Sequence, residues 1–235
     1  MKPQLLIIPG WGGTKTSWKN FMNLAQTDFD VYCFDLPCFG EEPCPTEIWG
    51  IEEYAEFVRK KTKNLNSVKP ILLGHSFGGQ IAAYLAANYP EEFSKLILSG
   101  AAILRQTPSA KKIIFQFLAK TGGFIFKLPL LNRAADFMKK ALYRLANSDY
   151  NRTSGMKREI YQKIINQDLS ALAARINLPT LIIWGENDGY VPLKQGKKLS
   201  ELIVGSKLEI VPGGKHGLHL QTPEKLYGLV KNFIF

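Results

Sequence analysis

Gly74-His75-Ser76-Phe77-Gly78 sets a serine between two glycines, where the apolar run Ile71-Leu72-Leu73 gives way to a stretch rich in small residues: Ala82, Ala83, Ala86 and Ala87. A strand that turns abruptly into a helix leaves its apex residue in a strained backbone conformation. Glycines two positions to either side remove the Cβ atoms that would collide across such a turn. The apex serine then presents its Oγ above the sheet as a nucleophile. The N–H of Phe77 follows at a helix N-terminus, where free donors and positive dipole collect.

Such a serine needs a base to take its proton, and the base needs an orienting carboxylate. The chain has three histidines. His75 adjoins Ser76 inside the turn, where consecutive side chains diverge. His216 and His219 share the stretch Val211-Pro212-Gly213-Gly214-Lys215-His216-Gly217-Leu218-His219-Leu220. The acid belongs after the preceding apolar run, in Gly185-Glu186-Asn187-Asp188-Gly189-Tyr190-Val191-Pro192, which offers Asp188 and Glu186.

A second glycine loop, Pro9-Gly10-Trp11-Gly12-Gly13, follows the apolar run Leu5–Ile8. Strand, glycine loop and helix also make a phosphate cradle, but the details fail. A Walker loop needs Gly-Lys-Ser/Thr, and here Gly13 is followed by Thr14, Lys15 and Thr16. A dinucleotide loop needs a third glycine where Lys15 stands, to let helix and strand pack closely.

The elements that must position these residues follow from hydrophobic patterning. Strands are predicted at Gln4–Ile8, Asp30–Phe34, Pro70–Leu73, Lys95–Leu98, Thr180–Trp184 and Lys207–Val211. Most are continuous apolar runs, which suits strands buried on both faces. Helices are predicted at Ser17–Gln26, Ile51–Leu65, Phe77–Asn88, Leu193–Ile203 and Pro223–Phe233, with Ser17 and Thr222 as N-caps and Pro223 at the first helical position. The alternation reads as parallel βαβ units.

Residues 101–175 break this pattern. They show no convincing strand and read as amphipathic helices at about Ser109–Lys120, Leu130–Leu145, Ser154–Asp168 and Leu169–Arg175. The expected organisation is an α/β core from residues 1–100 and 176–235, with residues 101–175 inserted as a helical lid.

These motifs together resemble the α/β-hydrolase fold family, over essentially the whole chain. The resemblance implies a mostly parallel sheet of about six to seven strands with an inserted lid. It selects Asp188, at the position of the family's Gly-x-x-Asp turn, as the acid. It selects His216, preceded by the small-residue turn, as the base. The order Ser76, Asp188, His216 is the one this fold uses. It also implies that the Trp11 N–H joins the Phe77 N–H in an oxyanion hole, although Pro9 replaces the family's usual histidine. Asp35-Leu36-Pro37-Cys38-Phe39-Gly40 is similar to the family's Asp-Leu-Pro-Gly-x-Gly loop, with Cys38 for the first glycine and Asp35 in a structural role. Family members with an aspartate at the elbow are dehalogenases and epoxide hydrolases. Ser76 implies acyl chemistry instead: a serine carboxylesterase that forms an acyl-enzyme on a short to medium acyl ester. The alternatives on the same triad are a carbon–carbon bond hydrolase or a lactonase, and, from another class, a ligand receptor without catalysis.

Composition bounds these readings. The 235 residues suit one α/β domain, with 46% hydrophobic residues and 21% charged. Three cysteines, Cys33, Cys38 and Cys44, are odd in number and lack metal-ligand spacing, which argues against a disulfide framework and against zinc. No metal or cofactor is expected. No apolar run reaches the roughly 18 residues of a membrane span, and a reduced cytoplasm is the expected compartment. The net charge is +10, and residues 101–170 hold thirteen Lys/Arg against four Asp/Glu. The charge therefore belongs to the expected lid. A basic lid could capture an anionic partner. Small lidded hydrolases of this type include the carboxylesterase of biotin synthesis, which demethylates a pimeloyl chain held on acyl carrier protein. An acidic acyl carrier protein is thus the candidate partner. Nucleic acid is not expected, since no recognition motif accompanies the charge.

Overall fold

The computed structural model describes residues 2–63, 69–104 and 154–235. Six strands form one sheet: β1 (Gln4–Ile8), β2 (Asp30–Cys33), β3 (Ile71–His75), β4 (Lys95–Ser99), β5 (Thr180–Gly185) and β6 (Lys207–Val211). All pair in parallel, in the order β2-β1-β3-β4-β5-β6. Every residue of β1, β3 and β5 is buried, as continuous apolar strands require when both faces are covered. Strands β3, β4 and β5 each run one or two residues past the apolar stretch. The pairing His75↔Ser99 and Gly185↔Val211 carries the ladder on where the hydrophobic pattern has ended.

Helices cover both faces. On one side α1 (Lys19–Ala25) packs against α8 (Pro223–Ile234), and their Phe21, Ala25, Leu226 and Val230 meet Leu5, Ile7, Leu73, Ile97 and Ile183. The alternate strand residues, Leu6, Leu72, Leu96 and Ile182, are also fully buried, as alternation along a strand requires of a second covered face. There α3 (Phe77–Asn88) lies on β1, β3 and β4 and packs against α2 (Ile51–Thr62). Short α5 (Ser170–Ala173) packs on α3 and on α6 (Leu193–Leu202), which covers β5 and β6. The remaining described helices are α4 (Gly155–Asn166) and the single-turn α7 (Leu218–Gln221). Lys95, the first residue of β4, directs its ammonium to the carbonyls of Phe233 and Ile234 at the end of α8.

The chain divides into a compact unit of Met1–Arg105 with Lys163–Phe235, and a second of Gln106–Gln162. The helices predicted at Ser109–Lys120 and Leu130–Leu145 lie outside the described residues, as does Leu65 at the predicted end of α2.

Ser17 does not cap α1. It lies within a tight turn, Lys15–Trp18, where its hydroxyl donates to the Thr14 carbonyl at 2.6 Å and accepts from the Thr14 N–H at 3.3 Å. The helix proper starts at Lys19. The cysteine count also misleads: Cys38 and Cys44 are disulfide-bonded, leaving Cys33 free. The turn Pro37–Glu42 folds back on itself and brings two cysteines six positions apart together, which their number alone does not reveal.

Candidate active site

In this sheet order the chain leaves β1 toward β2 on one side, and β3 toward β4 on the other. The carboxyl ends of β1 and β3 therefore mark the switch point of the sheet, where folds of this architecture place their sites. The Pro9–Gly13 loop and Ser76 flank it.

Ser76 has φ +52° and ψ −113°, one of two non-glycine residues with positive φ among those described. Strain of this kind costs on the order of 1–3 kcal/mol and persists only where the surroundings enforce it. They do so through backbone groups. The Ser76 N–H donates to the Ser99 carbonyl at 3.0 Å, and its carbonyl accepts from Gly79 and Ala102 at 3.0 and 3.1 Å. A Cβ at Gly78 would lie 2.1 Å from the Ile8 carbonyl oxygen, and one at Gly74 would lie 2.4 Å from that of Gly78. Both glycines are therefore required by close approach of main chain.

The Pro9–Gly13 loop lies against this elbow. A Cβ on Gly10 would stand 3.2 Å from that of Ser76, and the Trp11 ring meets Phe77 edge-on with centroids 5.5 Å apart. The Gly13 N–H closes the loop onto the Gly10 carbonyl at 2.9 Å. Asp35 ties this segment to the next, accepting from the Lys15 N–H at 2.7 Å and the Glu41 N–H at 3.2 Å. The disulfide closes the same 38–44 loop, whose Phe39 ring packs on Trp11 at 4.9 Å. At Cys33, burial first and the Asp35 charge second push the thiol pKa up to about 12.

Asp188 and His216 meet beyond β5 and β6. The His216 Nδ1 lies 2.7 Å from Asp188 Oδ2, and the Asp188 side chain is fully buried. The other carboxylate oxygen accepts from the Tyr190 N–H at 2.9 Å and the Val191 N–H at 2.8 Å. A carboxylate partner requires the proton on Nδ1 and leaves the Nε2 lone pair free to act as base. The pair lies over Gly100, where a Cβ would stand 3.2 Å from both Asp188 Oδ2 and His216 Nδ1. Gly100 has φ +53° and follows Ser99, whose carbonyl holds Ser76. Backbone at the end of β4 thus joins Ser76 to the Asp188–His216 pair. Among the described residues no hydrogen bond connects the Ser76 hydroxyl to His216; such bonds often tighten only with substrate in place.

Glu186 does not reach His216. Its carboxylate accepts from the Gly213 N–H at 2.9 Å and braces the turn that leads to the histidine. The Lys215 N–H bonds the Gln221 side chain at 3.2 Å, a second brace. His219 lies in α7 and stacks on Trp18 at 4.2 Å, with the planes 8° apart. Burial, and after it the charge of His216, push the His219 pKa down to about 4. His75 is buried 4.7 Å from the His216 ring and directs Nδ1 at the Ser99 carbonyl, 2.9 Å away. Burial first, then His216 and His219, hold its pKa well below the usual histidine value. Both are therefore neutral near pH 7.

Sequence reasoning did not single out Gly100 or Tyr190. The Ser99-Gly100 step at the end of an apolar strand was the available sign of the first. Nothing in the sequence pointed to the second.

The family model of the alpha/beta hydrolase fold matches residues 3–223. The chain belongs to the α/β-hydrolase family. This hydrolase is 28% identical over 98% of its length to the pimeloyl-[acyl-carrier protein] methyl ester esterase of Wigglesworthia glossinidia brevipalpis, of which 93% is covered. It is 27% identical to the uncharacterized hydrolase YugF of Bacillus subtilis, over 98% of this chain and 89% of that one. Among solved structures, a hydrolase from Pseudomonas aeruginosa PA01 superposes with a TM-score of 0.74 at 23% identity, covering 99% of this chain and 90% of that one. Among the described residues of this hydrolase, no helix is long and apolar enough to cross a membrane.

Proposed function

We propose that the protein is a serine hydrolase of the carboxylesterase type. Ser76 Oγ attacks the ester carbonyl carbon while its proton passes to His216 Nε2. The carbonyl π electrons move onto oxygen, where the Trp11 and Phe77 N–H groups would receive them, each worth about 10²–10³ in rate. His216 then protonates the departing alkoxide as the carbon–oxygen bond breaks. Water, activated by the same imidazole, releases the acid from the acyl-enzyme. Asp188 holds the imidazole in the required tautomer throughout.

The observation that carries this reading is the 2.7 Å bond between His216 and a fully buried Asp188, at the end of the strand whose Ser99 carbonyl fixes Ser76. Covalent labelling by a fluorophosphonate, abolished in Ser76→Ala, tests it. A series of nitrophenyl esters of increasing chain length then reads the acyl preference. Persistent labelling of Ser76→Ala, or an inert wild-type protein, overturns the proposal.

The finer reading, an acyl chain presented on an acidic acyl carrier protein, draws on two observations. One is the excess of thirteen basic over four acidic residues in 101–170. The other is the name of the Wigglesworthia relative. Neutralising Lys111, Lys112, Lys139 and Lys140 should weaken turnover of a carrier-bound ester far more than turnover of a small neutral ester. Equal loss on both discards the docking.

A further inference from the structure

Tyr190 is 64% exposed, an unusual place for a large ring with no core to fill. Its ring stacks on His216 with centroids 5.2 Å apart and planes 28° apart. One carboxylate fixes both: Asp188 Oδ2 holds the imidazole, and Oδ1 accepts the backbone N–H of Tyr190. The ring is thus delivered to the imidazole by the group that orients the imidazole.

We propose that Tyr190 is a positioning residue for His216, its ring face steadying the imidazole and favouring the positive charge it acquires on taking the Ser76 proton. The proposal rests on the triad reading above. An aromatic face carries negative quadrupole and attracts a cation laid against it. The titratable groups around His216 suit that role: the Asp188 carboxylate, and His75 at 4.7 Å with His219 beyond it at 4.8 Å. Lys215 adjoins it in sequence. Burial keeps the two histidines uncharged, so neither opposes the imidazolium. The attraction belongs to the ring and not to the hydroxyl, so phenylalanine should serve in its place.

The test compares Tyr190→Phe and Tyr190→Leu with the wild-type protein, using a short neutral nitrophenyl ester and a fluorophosphonate. Tyr190→Leu should lower kcat about threefold to tenfold and slow labelling by the same factor, with KM within about twofold. Tyr190→Phe should match the wild type within about twofold on both. All melting temperatures should agree within about 2 °C, as for other surface substitutions. A rise in KM with kcat and labelling unchanged makes the ring a substrate wall and overturns the proposal. So does equal loss in Phe and Leu. Labelling that never occurs in the wild-type protein sinks the triad reading itself, a different result.

Discussion

The two halves of the site are held in place by different means. The elbow around Ser76 is fixed by main chain meeting main chain: close approaches at Gly74 and Gly78, and three backbone bonds at the serine itself. The half around Asp188 and His216 is fixed by side chains bonding to backbone: Asp188 to Tyr190 and Val191, Glu186 to Gly213, and Gln221 to Lys215. A site of the first kind has no tolerance for an added atom. One of the second kind can lose a brace and stay folded. Gly100 is where they join, and it behaves like the first kind while serving the second.

The sharpest contrast comes from removing the reacting groups and leaving the braces. Ser76→Ala should lower kcat by about 10⁴–10⁶ without loss of melting temperature. Asp188→Asn should cost about 10³–10⁴ in kcat, because an amide facing Nδ1 favours the wrong tautomer. Steady-state hydrolysis of a short ester reads both, and a loss under tenfold for either would break the assignment of that half. Gly100→Val comes next. Its side chain would enter the space of Asp188 Oδ2 and His216 Nδ1, each 3.2 Å from a Cβ there. A displaced base can cost about a hundredfold in kcat.

The buried histidines give a pH test of comparable size. His219 has a pKa of about 4 in the folded chain against 6.5 as a free side chain. Between those values the unfolded chain binds the extra proton, so stability rises with pH across the window and falls as pH drops from 6.5 to 4. The full contribution is on the order of 3 kcal/mol. Urea unfolding at pH 7 and pH 4.5 should show the loss, and His219→Phe should reduce it, leaving the share owed to His75. The smallest effect is expected from Glu186→Gln. It weakens one bond to Gly213 and should cost about 1 kcal/mol in stability and a few-fold in kcat. A Glu186→Gln variant as inactive as Asp188→Asn would move the acid from one carboxylate to the other.

The same contrast explains what the sequence disclosed. Steric requirements leave a composition signature, and the residue types of Gly74-His75-Ser76-Phe77-Gly78 alone mark a tight strand-to-helix turn. The parallel sheet was legible because strands covered on both faces must be apolar throughout, as Leu5–Ile8 and Leu181–Trp184 are. Bonds between a side chain and a distant backbone leave no such trace. Glu186 was weighed as an acid, and its partner Gly213 lies 27 positions away. Ser17 looked like a helix cap because its type suits one, but its hydroxyl closes a turn with Thr14 instead. The Cys38–Cys44 pair was hidden for the same reason: its closure depends on the path of the loop and not on the number of cysteines.

The direction of the sheet has one more consequence. Since all strands are parallel, Ser76, Asp188 and His216 gather beyond one end of it, whereas Lys2 enters at the other end. The contact of Lys95 with the carbonyls of Phe233 and Ile234 brings the last helix to that rear end as well. A label attached at Lys2 or beside Ile234 would therefore sit at the end of the sheet opposite Ser76.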